Sequence, residues 1–194
     1  MAQLLAPFAG RQAAVAADRL INHFGSLGRA LAASPGQLAH VLPDDRKLVR
    51  TLIAARTLVY AGLHEDVQRT PVAAASPVFR NYLRLRIGNA PIERLHATFL
   101  TPDLGYLADD IIAEGATTHV EADLRRLLAR AFEVGAHGLI LAHNHPSGSA
   151  EPSARDIALT RRIADLIGSV DVRLLDHLIV GAGDIVSMRE RGLL

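Results

Sequence analysis

One segment of the chain gathers residue types that bind metals or move protons, at a spacing that brings them together. It reads Ala142-His143-Asn144-His145-Pro146-Ser147-Gly148, followed by Pro152-Ser153-Ala154-Arg155-Asp156. Histidines at i and i+2 near the end of a strand project from one face, because strand side chains alternate. Pro146 and Gly148 stop the strand. Ser153 is a natural helix N-cap, and Asp156 stands three residues on, the spacing of a capping box, which returns the carboxylate to the helix start. Two imidazoles and one carboxylate make three ligands and leave a fourth tetrahedral position open, which is the arrangement of a catalytic zinc rather than a structural one. A blander reading competes: a His-X-His pair arises by accident in cores and on surfaces, and Asp156 alone would offset the helix dipole. The apolar strand ahead of the pair, the Pro-Ser-Gly loop and the Ser-X-X-Asp cap favour the metal.

The elements that must hold these residues are legible on either side. Gly138-Leu-Ile-Leu-Ala-His reads as a buried strand, Ser153–Ile167 as a helix and Arg173–Val180 as a second strand. Gly181-Ala-Gly-Asp turns into a last strand, Ile185–Met188. Upstream, Leu95–Leu100 and Tyr106–Ala113 flank the turn signal Thr101-Pro-Asp-Leu-Gly as a β-hairpin, and the leucine stripe of Glu121–Phe132 is helical. Strands and helices interleave, so this part is α/β with a mixed sheet. The N-terminal part is all-helical: Gln12–Phe24 stops at Gly25, Ser26 and Ser34-Pro35 cap two short helices, and Leu42-Pro43-Asp44-Asp45 opens a longer one to about Ala61. Gly62–Pro77 has no sustained period and reads as a linker. Two domains are expected, residues 1–75 and 76–194.

Composition narrows the chemistry. A chain of 194 residues with 49% hydrophobic residues and Lys+Arg 21 against Asp+Glu 20 can build a core and is neither disordered nor membrane-embedded. No stretch approaches the ~20 apolar residues of a spanning helix, and Met1–Gly10 lacks a basic n-region, so a soluble, cytoplasmic protein is expected. With no cysteine, disulfides, thiolate zinc sites, iron–sulfur clusters and a Cys nucleophile are excluded. Five Phe, three Tyr and no Trp leave little for base stacking. Divided after Arg86, the first part carries 11 Lys/Arg against 5 Asp/Glu and the second 10 against 15, a modestly basic part joined to an acidic one.

His143-X-His145-Pro with Ser153-X-X-Asp156 resembles the JAMM motif of the JAB/MPN metallopeptidases. HNHPSG with a following P-S-X-X-D is similar to the RadC subfamily, named as a DNA repair protein. The likeness extends to Leu174-Leu-Asp-His-Leu-Ile-Val-Gly, to the C-terminal Ser187-Met-Arg-Glu-Arg-Gly-Leu-Leu and, more weakly, to His23-Phe-Gly-Ser-Leu in a helical domain that in the family carries a helix-hairpin-helix. The resemblance implies a cytidine-deaminase-like JAB/MPN fold, one Zn2+ on His143, His145 and Asp156, and hydrolysis of a peptide or isopeptide bond in a protein or peptide substrate. The alternative it implies is a DNA-associated repair or recombination accessory protein whose metal site is inactive or acts on nucleic acid. A His-Asn-His nuclease is disfavoured, because those enzymes place their histidines on separate elements.

Two departures stand against the family pattern. Val41-Leu-Pro-Asp-Asp replaces the Gly-hydrophobic-Gly hairpin that offers backbone N–H groups to a phosphate, so Pro43 and the two acids oppose DNA binding there. Leu124-Arg125-Arg126 replaces Pro-Arg-Glu. The family chemistry also needs a glutamate to take a proton from the zinc-activated water and give it to the leaving amine. Glu93 matches the family position, with Glu114 on the second hairpin strand as its rival and an exposed strand-edge carboxylate as the plain alternative. Ser153 has a second expected role, donating to a developing oxyanion. Asp176-His177 interrupts an apolar strand; consecutive residues face opposite ways, so support of the site is expected rather than ligation. His23, His40, His64, His96, His119 and His137 have no ligand spacing.

Overall fold

A computed structural model describes residues 1–115 and 120–194. His119 lies outside the described residues. The chain divides into two compact units, Met1–Gly62 and Leu63–Leu194.

The first unit is helical: α1 (Ala2–Ala9), α2 (Ala13–Phe24), α3 (Leu27–Ala32), α4 (Pro35–Val41) and the beginning of α5 (Arg46–Arg69). Its ends form where the cap residues dictate. Ser26 Oγ accepts the Arg29 N–H at 3.2 Å, and Ser34 with Gln37 makes a reciprocal capping box at 3.2 and 2.9 Å. Leu5, Leu20, Leu38 and Leu48 converge on small alanines of α2 to build the core. In the turn before α5, Asp45 Oδ1 accepts the Leu48 N–H at 2.8 Å, so one of the two acids that oppose a phosphate is the helix cap itself.

The expected linker from Gly62 is helical over its first half, because α5 runs on to Arg69. Gly62 costs a helix about 1 kcal/mol relative to Ala and does not break it. Buried Val67 and the i,i+4 pair Glu65–Arg69 support the extra turns.

In the second unit, α6 (Pro77–Leu83) passes through a single π turn, Arg84–Gly88, into a five-stranded sheet. The strands are β1 (Arg94–Leu100), β2 (Tyr106–Glu114), β3 (Gly138–Asn144), β4 (Arg173–Val180) and β5 (Ile185–Ser187), in the order β2-β1-β3-β4-β5. Only β3 and β4 run parallel. The sheet is therefore mixed, as the interleaved pattern predicts. Two helices, α7 (Val120–Glu133) and α8 (Ala154–Gly168), contribute Leu127, Ile163 and Ile167 to a core against Leu95, Ala97, Phe99, Leu139 and Leu141 of one sheet face. Among the described residues no helix is long and apolar enough to cross a membrane.

Candidate metal centre

Every residue of β3 is buried, which fixes the register of the strand and delivers its C-terminal end to one place. His143 shares the helix-side face with Leu139 and Leu141, and His145 continues the ladder one step beyond the strand, its N–H bonding Val180 O at 3.1 Å. The chain then turns back, with Gly148 N–H on His145 O at 2.9 Å and Gly148 at φ +92°. The turn is pressed against Gly181, where a β-carbon would lie 2.6 Å from Gly148 O and 2.8 Å from Ala150 N. No other residue fits there.

The segment from Ser149 leads to α8, whose start is a capping box. Ser153 Oγ accepts the Asp156 N–H at 3.2 Å, and Asp156 Oδ2 accepts the Ser153 N–H at 2.7 Å. This brings the carboxylate to the two histidines. His143 Nε2 lies 2.8 Å from His145 Nε2 and 3.2 Å from Asp156 Oδ1, and His145 Nε2 lies 3.4 Å from Asp156 Oδ2. Ligand atoms about 2.1 Å from a tetrahedral zinc stand about 3.4 Å apart along each edge, so the three separations fit one small ion with the histidine pair slightly closed. The side chains keep 10%, 13% and 15% of their surface, so the cluster is largely buried but reaches solvent.

The proton inventory fixes how both rings face. His145 Nδ1 bonds Ser149 O at 2.9 Å, and a carbonyl only accepts, so a proton sits on Nδ1 and Nε2 faces the cluster. For His143 the assignment runs through three links. Thr160 Oγ1 donates to Asp156 O at 2.6 Å, so it accepts from His177 Nδ1 at 2.6 Å. His177 Nε2 is then an acceptor and takes the proton of His143 Nδ1 at 2.9 Å. His143 Nε2 is thereby turned towards the cluster as well. Two imidazole Nε2 atoms and a carboxylate converge on one point, where a shared proton or a metal cation can bridge them.

Electrostatics agree. Burial would push the Asp156 carboxyl up, but hydrogen bonds from His143 and Ser153 and the charge of His143 outweigh it and hold Asp156 well below the usual carboxylate range. His177 is pushed well down, first by burial and then by the neighbouring His143, so it stays neutral at ordinary pH.

The other sequence-derived positions fall as follows. Ser153 caps α8, and its hydroxyl proton lies on Asp156 Oδ2 at 2.6 Å. Glu93 is exposed in the segment before β1. The β1–β3 ladder begins at Leu95–His143, two residues after Glu93, so position 93 shares the parity of Leu95 along the chain. Glu114 pairs with Arg94 at 2.9 Å, one residue out of that parity. His177 faces the site through His143, whereas Asp176 turns away to Ser187 Oγ at 2.6 Å. Asp176 and His177 thus divide between the two faces as alternation requires.

Two residues escaped the sequence reading. Thr160 is an ordinary mid-helix threonine whose partners are close only after folding. Asn144, between the two histidines, is fully buried and points the other way. It accepts the Arg94 N–H at 2.8 Å and donates to Ala90 O and Ile92 O at 3.3 and 3.0 Å, clamping the backbone on both sides of Glu93. Its place inside the His-X-His motif was the available signal.

A second His/His/Asp group lies on the other parity of β1. Asp109 accepts from His96 Nε2 at 2.8 Å and from the Tyr106 hydroxyl, with His64 Nε2 and Arg86 Nε each at 3.6 Å. His64 Nε2 also meets the Tyr106 hydroxyl at 2.8 Å. Burial would push the Asp109 carboxyl up, but the hydrogen bond and charge of His96, with bonds from Tyr106 and Tyr82, hold it well below its ordinary value.

An α/β domain with a His-X-His pair at a strand end and an aspartate at the next helix start is the arrangement of a JAB-type domain. The RadC-like JAB domain matches residues 74–193, and this chain belongs to that family. It is similar to a UPF0758 protein of Azotobacter vinelandii, 37% identical over all of this chain and 88% of the relative. A UPF0758 protein of Leptothrix cholodnii is 36% identical over 92% of this chain and 80% of its own length. One from Vibrio vulnificus is 36% identical over 91% and 79%.

Proposed function

We propose that this chain is a zinc-dependent hydrolase of peptide or isopeptide bonds, with the ion on His143, His145 and Asp156. The observation that carries the reading is the convergence of two imidazole Nε2 atoms and a carboxylate at separations close to the edges of a small tetrahedral ion. Zinc held by three protein ligands supplies an acidified water at neutral pH and a Lewis acid for the scissile carbonyl.

The chain's own groups do the rest. Glu93 Oε takes a proton as the water oxygen bonds to the carbonyl carbon, then delivers it to the amine nitrogen as the C–N bond breaks. The place of Glu93 two residues ahead of Leu95, which pairs with His143, and the Asn144 clamp on the flanking backbone support this assignment over Glu114, which is paired to Arg94. Ser153 turns its hydroxyl proton from Asp156 to the developing oxyanion while still capping α8.

The test compares Glu93→Gln with Glu114→Gln on peptide and isopeptide substrates, with zinc content measured on the same samples. Glu93→Gln should keep the ion and lose activity by the roughly 10²–10⁴-fold typical of a general acid–base group, with Glu114→Gln unchanged. Full activity in Glu93→Gln would remove Glu93 from the mechanism, and the reverse pattern would hand its role to Glu114.

A further inference from the structure

We infer that His177 and Thr160 are positioning residues that set the tautomer of His143 and so prepare its Nε2 to bind metal. The inference rests on the metal reading above for its purpose, but its geometry is independent of any catalysis.

The chain of bonds starts at a group with no choice. The carbonyl of Asp156 only accepts, so Thr160 spends its single hydroxyl proton there at 2.6 Å. The lone pair of Thr160 then faces His177 Nδ1 at 2.6 Å, which must carry hydrogen, and His177 Nε2 receives Nδ1–H of His143 at 2.9 Å. Reversing any one link would leave two protons or two lone pairs facing each other in a site where Thr160 and His177 are fully buried. The weak contact of Thr160 to the Met188 sulfur at 3.5 Å offers no competing acceptor of equal strength.

The bridge also joins two ligands. It begins on the backbone of Asp156 in α8, crosses to β4 at His177 and ends on the ring of His143 in β3. His145 is oriented separately, by the Ser149 carbonyl of its own loop. One histidine is thus set by the interior of the fold and the other by local turn geometry. The interior one has the longer supporting path and the larger dependence on residues remote in sequence.

The test has two arms. In the metal-free wild-type protein, nitrogen-15 NMR should report hydrogen on Nδ1 of both His143 and His177 and none on Nε2 of His177; a bare Nδ1 on His143, or hydrogen on Nε2 of His177, would overturn the assignment. In the second arm, Zn(II) affinity is measured by competition with a chromophoric chelator at fixed pH. Thr160→Val, which keeps the shape and removes the hydroxyl, should weaken binding about 10–100-fold, the usual effect of losing the partner of a ligating histidine, and Thr160→Ser should restore it. Equal affinity in wild type, Thr160→Val and Thr160→Ser would overturn the inference. Should Thr160→Val fail to fold, His177→Gln, whose amide oxygen can still accept from His143, is expected to bind more tightly than His177→Leu, and no difference between those two would overturn it. Failure of wild type to bind zinc would sink the metal reading alone, since the tautomers are read without metal.

Discussion

The two His/His/Asp groups of the α/β unit have the same composition and different anchoring of their imidazoles. Around Asp109 every partner donates: His96 Nε2, the Tyr106 hydroxyl, and the cationic Arg86 nearby. The carboxylate is bonded on both oxygens, but the other nitrogen of His96 has no hydrogen-bond partner among the described residues. Around Asp156 both histidines turn Nε2 to the cluster, because each is anchored through Nδ1, to Ser149 and to His177. The difference teaches that residue types alone do not mark a candidate metal site. Anchoring of each imidazole through its far nitrogen is what sets the Asp156 cluster apart.

The largest expected effect tests that contrast directly. Protein purified without chelator should carry close to one zinc per chain by elemental analysis, and the double variant His143→Ala, His145→Ala should carry almost none. His64→Ala and His96→Ala should leave metal content unchanged. Equal metal in wild type and the double variant would erase the distinction between the clusters.

The Asp109 group should answer instead in stability. Removing the charge with Asp109→Asn leaves Arg86 and His96 without their anion and should cost about 3 kcal/mol in denaturant unfolding at neutral pH, with metal content intact. Because the folded carboxyl titrates below its unfolded value, its contribution is complete above the unfolded pKa of about 3.9 and is lost as pH falls beneath it. The gap between wild type and Asp109→Asn should therefore narrow on acidification below about pH 4. A constant gap would deny the charge its role.

Asn144 links the metal strand to the segment that carries Glu93. Asn144→Ala strands two carbonyls and an N–H and should cost about 2 kcal/mol, while zinc still binds because both histidines remain. The smallest effect is expected at Ser153. Its replacement by Ala removes a cap worth about 1 kcal/mol and should lower zinc affinity slightly through Asp156. If Ser153→Ala abolished metal binding, the capping box would be organising the whole cluster rather than one ligand.

The Asp156 cluster was legible in the sequence because its parts are local. Strand alternation sets His143 beside His145, and the Ser153 to Asp156 spacing is itself a helix-start signal. The Asp109 group was not, since His64 on α5, Arg86 on the π turn, His96 on β1 and Asp109 on β2 have no shared period and meet only through tertiary packing. Thr160 was hidden for the same reason. Most elements were readable from caps and periodicity, down to Ser26, Ser34 and Ser153 at their helix starts. The exceptions were α1, with Pro7 inside it, and α6, neither of which was read as a helix, and the run after Gly62, where a glycine weakened the helical signal and buried Val67 overrode it. Local propensity lost there to a contact that the sequence pattern does not encode.

The close approach at Gly181 bears on how the protein can vary over generations. A β-carbon there would collide with main-chain atoms of the loop that follows His145, and main chain cannot swing aside as a flexible side chain can. The codon for Gly181 is thereby tied to a motif more than thirty positions earlier, although the residue supplies no functional group. In a pool of random variants selected only for metal retention, alleles altered at 181 should vanish along with those altered at His143 and His145. The exposed glutamates nearby should drift freely under that selection, and only a demand for turnover should bring Glu93 under the same constraint.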